Sequence, residues 1–429
     1  LAQRLGALQA RRAWQQALEQ KRNACVALLS RPQPQAPAGG AAQAAEGPRD
    51  LVRIDPQLRI YVYRLQFFDA SAMAEHFPWC RAHQWAADYF YIERLRSSAF
   101  VTEDAAAADF LVVPFLAKCY FNYVAGYNLA RMGEGFDELL RELGRQPHWR
   151  ERPERHLFFF MSGAGASVLP GGLARLGQAI VVSAEGDREA EYFRYGHDLV
   201  VPGFSDMPAA NGSKPKSLLG SMRGQMNTKT RDAEGRLFVL PNLLRHTVQQ
   251  VLHGQDCFAT GDVVEFEAYA EELRSSRFCV IPRGSTPWTR RFFDILFAGC
   301  IPVVLSDPIH FPFERLLDFH RFTLKLPERD VLSLADELRA VSGEQAELLL
   351  SEVLRWRSAF DHGPGGCAFE LFLTELSLRK SASLGPPPAA PAPRTNNSPR
   401  LFWSPRRGVY SEPRAAKLGP TWGAGMVFH

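Results

Sequence analysis

The chain has 429 residues, of which 46% are hydrophobic, and this is enough for about two domains with buried cores. Its 50 basic and 46 acidic residues leave a net charge of +4, too small to indicate a nucleic-acid partner. The seven cysteines show no C-x-x-C or other metal-ligand spacing, so no structural zinc is predicted, and no apolar run is long enough to span a membrane.

Residues 1–50 are predicted to form a helical stem followed by a linker. Leu, Ala, Gln and Arg recur at helical spacing in the first part of this segment, and Pro32–Gly47 is rich in Pro, Ala and Gly. The composition of this segment is typical of a spacer in front of a folded domain.

Residues 51–205 are predicted to form an N-terminal α/β domain. Five short apolar runs alternate here with longer stretches of helical pattern, which is typical of a parallel sheet. The predicted strands are Ile60–Tyr63, Phe110–Phe115, Leu157–Phe160, Ala179–Val182 and Leu199–Val201.

Histidines and carboxylates of this domain are candidates for proton transfer, because imidazole titrates near neutral pH. The histidines are His76, His83, His148, His156 and His197. Glu185 and Asp187 follow the fourth predicted strand, where they form either a carboxylate base or a solvated turn. No spacing singles out one residue, so the catalytic base stays unknown.

Residues 206–380 are predicted to form a second α/β domain. Its first part, residues 206–230, is rich in Gly, Ser, Lys and Asn and indicates a loop or domain crossing. Helices around 345–359 and 368–378 are predicted to close the domain. Residues 381–429 begin with the proline-rich stretch Pro386–Pro393 and are predicted to be a disordered tail.

The stretch Phe278–Asp307 predicts one parallel strand–turn–helix–strand unit. A buried strand runs to Ile281, a polar turn follows, and Pro287 suits the start of a helix. Gly299 stands where a helix C-cap needs a left-handed residue, and a β-branched run then resumes the sheet. Ligands of open α/β sheets bind at such strand ends.

The turn of this unit, Arg283, Gly284, Ser285 and Thr286, predicts an anion site. Free N–H groups and the helix dipole favour an anion such as a diphosphate, and Arg283 and Arg291 add positive charge. Asp294, further along the helix, would accept hydrogen bonds from ribose hydroxyls. The same pattern also fits a solvated helix face on which arginines pair with Asp294.

This stretch contains four short motifs in order: Cys279-Val-Ile-Pro-Arg-Gly, Ser285-Thr-Pro, Arg291-Phe-Phe-Asp and Ala298-Gly-Cys-Ile-Pro-Val. The series resembles the signature of the exostosin family of glycosyltransferases, glycosyltransferase family 47. Similar blocks lie in the family's order on both sides: Arg59–Tyr63, Ser98–Phe115, His197–Pro202 and Pro312–Phe322. The resemblance covers roughly residues 55–376.

The resemblance implies two Rossmann-like α/β domains facing a cleft, the GT-B type of architecture. It implies transfer of a sugar, with inversion, from a UDP- or GDP-linked donor to a glycan or glycoprotein acceptor. Sites expected to bind the donor are Arg283, Gly284, Ser285, Thr286, Arg291, Asp294, Ser306 and, by a looser match, Arg223.

The resemblance also bears on cofactors and location. No D-x-D triad is evident, and Glu265-Phe-Glu267 is the nearest pattern, so neither a cofactor nor a divalent metal is expected. Family members usually sit in the Golgi behind an N-terminal membrane helix, which this chain would lack. Trp79, Trp85 and Trp149 either stack on sugar rings or belong to the core.

One departure from the family pattern leaves other hypotheses about the function open. Relatives commonly carry a His-Asp pair after the third strand, where this chain reads Met161-Ser-Gly-Ala-Gly165. A second hypothesis is therefore a catalytically impaired relative that retains nucleotide binding and acts in a complex with a related transferase. A third hypothesis, a dehydrogenase or kinase, is opposed by the absence of their glycine-rich motifs.

Overall fold

The computed structural model describes residues 51–382, with gaps at 83, 162–164, 211–215, 232–236, 254 and 256, and the segments 400–404, 408–412 and 427–428. The predicted stem, residues 1–50, and His83 lie outside these residues. The described chain divides into two compact units. The first contains residues 51–184, 191–204 and 358–382, and the second contains 185–190, 205–357 and the C-terminal segments.

The first unit is built on a five-stranded sheet that is parallel throughout, in the order β1-β2-β3-β4-β5. Every residue of β2, β3 and β4 is buried, as expected of strands with helices on both faces. The strands are β1 (Ile60–Val62), β2 (Phe110–Val113), β3 (His156–Phe160), β4 (Ile180–Ser183) and β5 (Leu199–Val200). All five overlap the predicted strands.

Helices of the first unit begin at residues that cap free backbone N–H groups. Asp69 Oδ1 accepts hydrogen bonds from the N–H groups of Ser71 and Ala72, and Asn128 Oδ1 accepts one from Arg131. The helices are Ala70–His76, Ala87–Arg96, Ala117–Cys119, Leu129–Gly144, Pro147–Glu151 and Ala368–Ser381, with a π-helical turn at Tyr120–Val124. Short 3-10 turns lie at Pro78–Arg81, Pro153–Arg155, Gly165–Val168 and Gly172–Arg175.

The last helix, Ala368–Ser381, belongs to the first unit although it follows the second in sequence. Ser377 Oγ accepts a hydrogen bond from the N–H of Asp55 at 2.9 Å, and Glu370 pairs with Arg94 at 3.0 Å. The predicted second domain, residues 206–380, therefore includes a helix that packs in the first unit.

The second unit contains a seven-stranded sheet in the order β14-β13-β12-β11-β10-β6-β9. Five consecutive strands, from β12 through β11, β10 and β6 to the edge strand β9, are parallel, whereas β13 and β14 add antiparallel pairs at the other edge. The strands are β6 (Leu218–Arg223), β9 (Phe258–Gly261), β10 (Ser276–Pro282), β11 (Ile301–Leu305), β12 (Leu324–Lys325), β13 (Arg400–Ser404) and β14 (Gly408–Glu412).

A smaller antiparallel sheet joins β7 (Asn227–Arg231), β8 (Leu237–Pro241) and β15 (Val427–Phe428). The prediction of a disordered tail over residues 381–429 is therefore wrong for β13, β14 and β15. The indole N–H of Trp403 in β13 donates to the carbonyl of Thr323 at 2.8 Å, which ties this strand to the second unit.

Helices of the second unit flank its parallel strands. They are Leu243–Leu252, Phe266–Ser275, Arg291–Ala298, Leu334–Arg339 and Gly343–Trp356, with 3-10 turns at Phe319–Arg321 and Glu328–Ser333. A further 3-10 turn, Arg357–Phe360, begins at the last residue of the segment 205–357 and continues in residues of the first unit. Parallel sheets flanked by helices in both units confirm the predicted α/β fold class. No helix of the described chain has the length and apolar character needed to cross a bilayer.

The predicted strand–turn–helix–strand unit is present as β10, the Arg291–Ala298 helix and β11. Five residues of β10 pair in parallel with five of β11, from Phe278 with Ile301 to Pro282 with Leu305. Gly299 has a φ of 70° at the helix C-cap, as predicted. The helix begins at Arg291 rather than next to Pro287, so the segment Pro287–Arg290 separates the turn from the helix.

Two disulfides stabilise the described chain. Cys279 of β10 is bonded to Cys300, just before β11, and Cys80 is bonded to Cys119. The prediction that Cys279 and Cys300 are buried hydrophobic residues is correct about burial and wrong about their chemical state. Cys257 is free and exposed.

The Cys279–Cys300 disulfide yields a stability prediction. Replacing both residues by alanine is expected to lower the free energy of unfolding by about 3 kcal/mol, because the cross-link closes a loop between residues 21 apart. Urea denaturation under non-reducing conditions measures this change, and Cys257→Ala is the matched control. An unchanged unfolding free energy in the double variant would show that the disulfide adds no stability.

Candidate functional site

The candidate site lies at the carboxyl ends of β6, β10 and β11. Arg223 ends β6, Arg283 follows β10, and Ser306 follows β11. Because these strands are parallel neighbours, their ends lie along the same edge of the sheet. The fold thus brings the predicted residues to the edge where open α/β sheets bind ligands.

Arg283 is held at this edge by a carboxylate network. Its Nε donates to Glu328 at 3.1 Å, and Glu328 and Asp307 exchange two hydrogen bonds through their backbone N–H groups at 2.9 Å each. Burial raises the pKa of Glu328, and the charge of Arg283 opposes that shift. The Arg283 side chain keeps 41% of its surface exposed, so it remains accessible to a ligand.

The turn itself is stabilised from within. The N–H of Gly284 donates to the carbonyl of Thr286 at 3.1 Å, and Ser285 is exposed. The Thr286 hydroxyl and the Trp288 N–H donate to the two oxygens of Glu185, at 3.1 and 3.2 Å. An internal carboxylate therefore occupies two donors that the sequence predicts for an external anion.

Glu185 is fully buried, which excludes the solvated turn that the sequence left open. It opens the segment 185–190, which docks on the second unit through two backbone hydrogen bonds, from His310 to Gly186 at 2.7 Å and from Arg188 to Pro308 at 2.9 Å. Burial raises the pKa of Glu185 well above its ordinary value, and Asp187 raises it further. Glu185 is a positioning residue for the turn.

The side chains of Arg291 and Arg223 are engaged inside the unit. Arg291 is buried and donates to the carbonyls of Val280 and Ser221, both at 3.2 Å. Arg223, the last residue of β6, forms an ion pair with Glu272 at 2.8 Å. These contacts stabilise the ends of β6 and β10, and donor binding by either arginine stays a prediction.

Asp294 is buried with both carboxylate oxygens in use. Oδ1 accepts from Ser205 at 2.6 Å and from Arg290 at 3.3 Å, and Oδ2 accepts from Tyr269 at 3.2 Å. Burial raises the pKa of Asp294, while Arg290 and the hydrogen bonds lower it. The carboxylate thus has a structural explanation, and the predicted ribose contact stays a prediction.

Sequence reasoning missed Arg245, in the first turn of the Leu243–Leu252 helix. Asn242 caps this helix by accepting from the Arg245 N–H at 3.0 Å, and its Nδ2 donates to the carbonyl of Arg283 at 3.2 Å. A β-carbon added at Gly284 would lie 3.1 Å from Arg245 Nη2, so a larger residue here would displace the guanidinium by a few tenths of an ångström. The Asn-x-x-Arg cap is readable in sequence, but its contact with the turn is not.

The guanidinium of Arg245 has no carboxylate partner among the described residues. Its Nη1 donates to the carbonyl of Gln225 at 2.6 Å. Burial lowers the pKa of Arg245, and the nearby charge of Arg291 lowers it further. Two arginines therefore place like charges close together beside the turn.

Ser306 adds a polar group without a partner. Its side chain is buried, and its hydroxyl finds no hydrogen-bond partner in the part of the chain that the structure describes. Within the same residues, no cluster of three His, Cys, Asp or Glu side chains has the geometry of a metal site. Arg245 and the partly exposed Arg283 place positive charge at this edge of the sheet, and that charge suits an anion.

Comparison with known proteins identifies the class of this chain. The family model of the exostosin GT47 domain matches residues 54–341. The chain belongs to the exostosin GT47 family. The predicted family and enzyme class are thereby confirmed: it is a glycosyltransferase, and its class uses a nucleotide-sugar donor and a glycan acceptor.

Plant glycosyltransferases are among the similar curated proteins of this GT47 chain. A probable glucuronoxylan glucuronosyltransferase of Arabidopsis thaliana is 23% identical over 303 residues, which cover 66% of this chain and 64% of the relative. Probable beta-1,4-xylosyltransferase IRX10 of the same plant is 24% identical over 314 residues, 69% and 75% of the two chains. Probable glucuronosyltransferase GUT1 of Oryza sativa subsp. japonica is 23% identical over 324 residues, 71% and 76%.

Solved structures add nothing to the description of the GT47 fold. TarM overlaps 54% of this chain and 55% of its own at 9% identity, with a TM-score of 0.29. MurG of Acinetobacter baumannii overlaps 69% and 78% at 12% identity, with a TM-score of 0.27. Scores this low carry no conclusion, so the fold rests on the sheets described above.

The buried Glu185 predicts a pH-dependent stability difference. Its folded pKa is raised, so its contribution to stability is complete below the ordinary value of 4.5 and is lost as the pH rises toward the folded pKa. Glu185→Gln, which stays neutral, should therefore gain stability relative to the wild type from pH 5 to pH 8. Unfolding free energies from urea denaturation at several pH values measure this.

Glu189→Gln is the matched control for this experiment, because Glu189 lies in the same segment and is exposed. Its stability difference from the wild type at each pH is the baseline with which the difference for Glu185→Gln is compared. A pH-independent difference for Glu185→Gln relative to this baseline would contradict the burial of an ionisable carboxyl at the turn.

Proposed function

We propose that this chain transfers a sugar from a nucleoside-diphosphate sugar to a glycan acceptor, with inversion at the anomeric carbon. The donor diphosphate would bind beside Arg245 and Gly284, at the ends of β6 and β10. The observation that carries this proposal is the partly buried Arg245 guanidinium, which lies next to a second arginine charge and has no carboxylate partner among the described residues.

An uncompensated pair of like charges favours an anionic ligand. Partial burial costs the Arg245 guanidinium hydration, and the Arg291 charge adds repulsion. A diphosphate relieves both costs because it brings negative charge and several acceptor oxygens to the guanidinium. Absence of a side chain at Gly284 lets the Arg245 guanidinium lie directly against the turn.

Arg283 and Ser306 support the same placement. The Arg283 side chain is partly exposed, and Glu328 fixes its direction. The Ser306 hydroxyl offers a further donor at the end of β11. As the glycosidic bond breaks, negative charge develops on the departing diphosphate, and preorganised cations stabilise that charge.

The relatives guide the choice of sugar. Their names include xylosyltransferase and glucuronosyltransferase, so we propose xylose or glucuronate as the transferred sugar. Inversion further needs a base that takes the proton of the acceptor hydroxyl. Glu185 is not assigned to this role, since both of its oxygens accept hydrogen bonds from the turn.

We also propose that the protein works in an oxidising compartment such as the Golgi lumen. The two disulfides Cys80–Cys119 and Cys279–Cys300 support this, because disulfides persist in oxidising compartments and are rare in the cytosol. Thiol titration of the protein isolated from its native cells tests the proposal. One free thiol among these five sites, that of Cys257, is the expected result.

Nucleotide binding by the full chain tests the proposed site. Calorimetry with UDP and GDP, with and without EDTA, is expected to show binding of one nucleotide that EDTA does not change. Arg245→Ala should weaken it at least about tenfold, because hydrogen bonds to charged groups contribute about 1.5–3 kcal/mol. Arg245→Lys keeps the charge but loses the paired donors, so an intermediate affinity is expected.

Arg339→Ala is the matched control, since Arg339 lies in the same unit and is exposed beside Asp336. Equal affinities for the wild type and Arg245→Ala would overturn the placement of the diphosphate. Binding without turnover of any UDP- or GDP-sugar would favour the impaired relative instead.

Arg283 and Asp294 are expected to respond differently to substitution. Arg283→Ala should weaken nucleotide binding while leaving the melting temperature nearly unchanged, because the side chain is partly exposed. Asp294→Ala should lower the melting temperature, because it leaves Ser205, Tyr269 and Arg290 without their acceptor. Thermal shift and calorimetry on each variant separate the two effects. A stable Asp294→Ala protein that has lost nucleotide binding would instead support the ribose contact.

A further inference from the structure

Three large aromatic side chains are exposed close to the end of β2 in the first unit. Trp79 is 61% exposed, Tyr127 48% and Tyr123 38%. We call these three residues the aromatic face. Tryptophan and tyrosine usually bury most of their area, and a group of exposed rings on one surface indicates a binding site.

The aromatic face is held rigidly by covalent and ring contacts. The disulfide Cys80–Cys119 joins the Pro78–Arg81 turn, which carries Trp79, to the segment that leads into the π-helical turn Tyr120–Val124. Phe77 stacks on Tyr123 with centroids 4.6 Å apart and planes inclined by 10°. A π-helical turn is rare and often marks a functional site.

Tyr127 has a strained backbone conformation. Its φ is 61°, a left-handed conformation that side chains rarely adopt, and it follows Gly126 at 60°. The N–H of Tyr127 donates to the carbonyl of Phe121 at 2.9 Å, which fixes this turn. Strain of this kind persists where the surroundings impose it, and it is frequent in ligand-binding segments.

Lys118 lies beneath this face inside a set of aromatic rings. Its ammonium is 5.1 Å from the ring centroid of Phe121, 5.4 Å from that of Trp85 and 6.0 Å from that of Tyr127. Among the residues that the structure describes, no carboxylate pairs with it, and the residue is 4% exposed. Burial lowers the pKa of Lys118 to about 8, so it is still mostly protonated at neutral pH.

These features define a site for a particular kind of ligand. Flat rings with polar edges suit the C–H faces and hydroxyl groups of sugars. A buried ammonium that lacks a counter-ion favours a ligand that brings a carboxylate. We propose that the aromatic face binds a glycan chain that carries a hexuronate, with the sugar rings on Trp79, Tyr123 and Tyr127 and the uronate carboxylate at Lys118.

This inference rests on the proposed function only in its choice of a glycan as the ligand. Its site is built entirely from residues of the first unit, whereas the nucleotide would bind to residues of the second. Glycan binding and nucleotide binding are therefore measured separately, and one can fail without the other.

Binding of matched hexasaccharides to the full chain tests the proposal. The probes are hexamers of β-1,4-linked xylose and of galactose, the xylose hexamer with one glucuronate branch, and the hexamer of galacturonate. Calorimetry is expected to show that the uronate-bearing xylan hexamer or the galacturonate hexamer binds at least tenfold more tightly than its neutral counterpart.

Two sets of variants separate the parts of the site. Replacing Trp79 and Tyr123 together by alanine should weaken all glycan binding at least tenfold. Lys118→Met keeps the bulk and apolar stem, and it should abolish the preference for uronate while leaving neutral glycans unaffected. Tyr195→Ala, another exposed aromatic residue of the first unit, is the control and should change nothing. The melting temperature and the far-UV circular dichroism spectrum should be the same in all four proteins, which shows that the first unit is folded in each.

Two results would overturn the inference. One is the absence of binding for every hexasaccharide, and the other is equal affinity in the wild type and the Trp79 and Tyr123 double variant. If the double variant instead dissociates a dimer seen for the wild type by sedimentation, the face is a protein interface rather than a glycan site.

Discussion

The parallel pairing of β10 with β11 is the constraint on which the candidate site depends. Five paired residues fix the relative positions of the two strand ends, and the helix between the strands is buried at all eight of its residues. The Cys279–Cys300 disulfide adds a covalent link at the opposite ends of the strands. Because the register of β10 and β11 is fixed, Arg283 and Ser306 keep one relative position at the strand ends. The polar groups around them can therefore be described one by one.

The charged groups near the turn fall into two sets with different tasks. Glu185, Arg291 and Asp294 are buried, and their hydrogen bonds end on backbone or side-chain groups of the same unit. Each therefore stabilises the turn or the helix that follows it. The Arg283 side chain is partly exposed, and the Arg245 guanidinium has no carboxylate partner among the described residues. These two side chains would make the proposed ligand contacts. A site needs both sets, since a cation binds selectively only when its position is fixed.

The sequence predicts the local parts of this arrangement and misses the distant ones. The β10–helix–β11 unit and the cap at Gly299 follow from periodicity and glycine conformation within thirty residues. The contact of Glu185 with Thr286 spans 101 residues, and Ser205 lies 89 residues from Asp294. No local sequence pattern indicates contacts between residues so far apart in the chain. Asp294 was therefore readable as a ligand contact, although its neighbours in space use both of its oxygens. The Cys279–Cys300 bond was missed for the same reason, because it needs the register of two strands.

Several arginines of this protein that are buried or partly buried pair with a carboxylate inside the fold. Arg194 meets Asp198 at 2.7 Å, and Arg94 meets Glu370 at 3.0 Å, both in the first unit. The fold can thus supply a carboxylate where a charge needs compensation within the protein. Arg245, Arg291 and Lys118 have no carboxylate partner among the described residues. Arg245 lies against the turn at Gly284, and Lys118 lies beside the exposed Tyr127. A cation left uncompensated lowers the stability of the free protein, and that cost is recovered when an anion binds. The proposals for Arg245 and Lys118 therefore rest on one physical requirement, a negatively charged ligand, in two separate units of the chain.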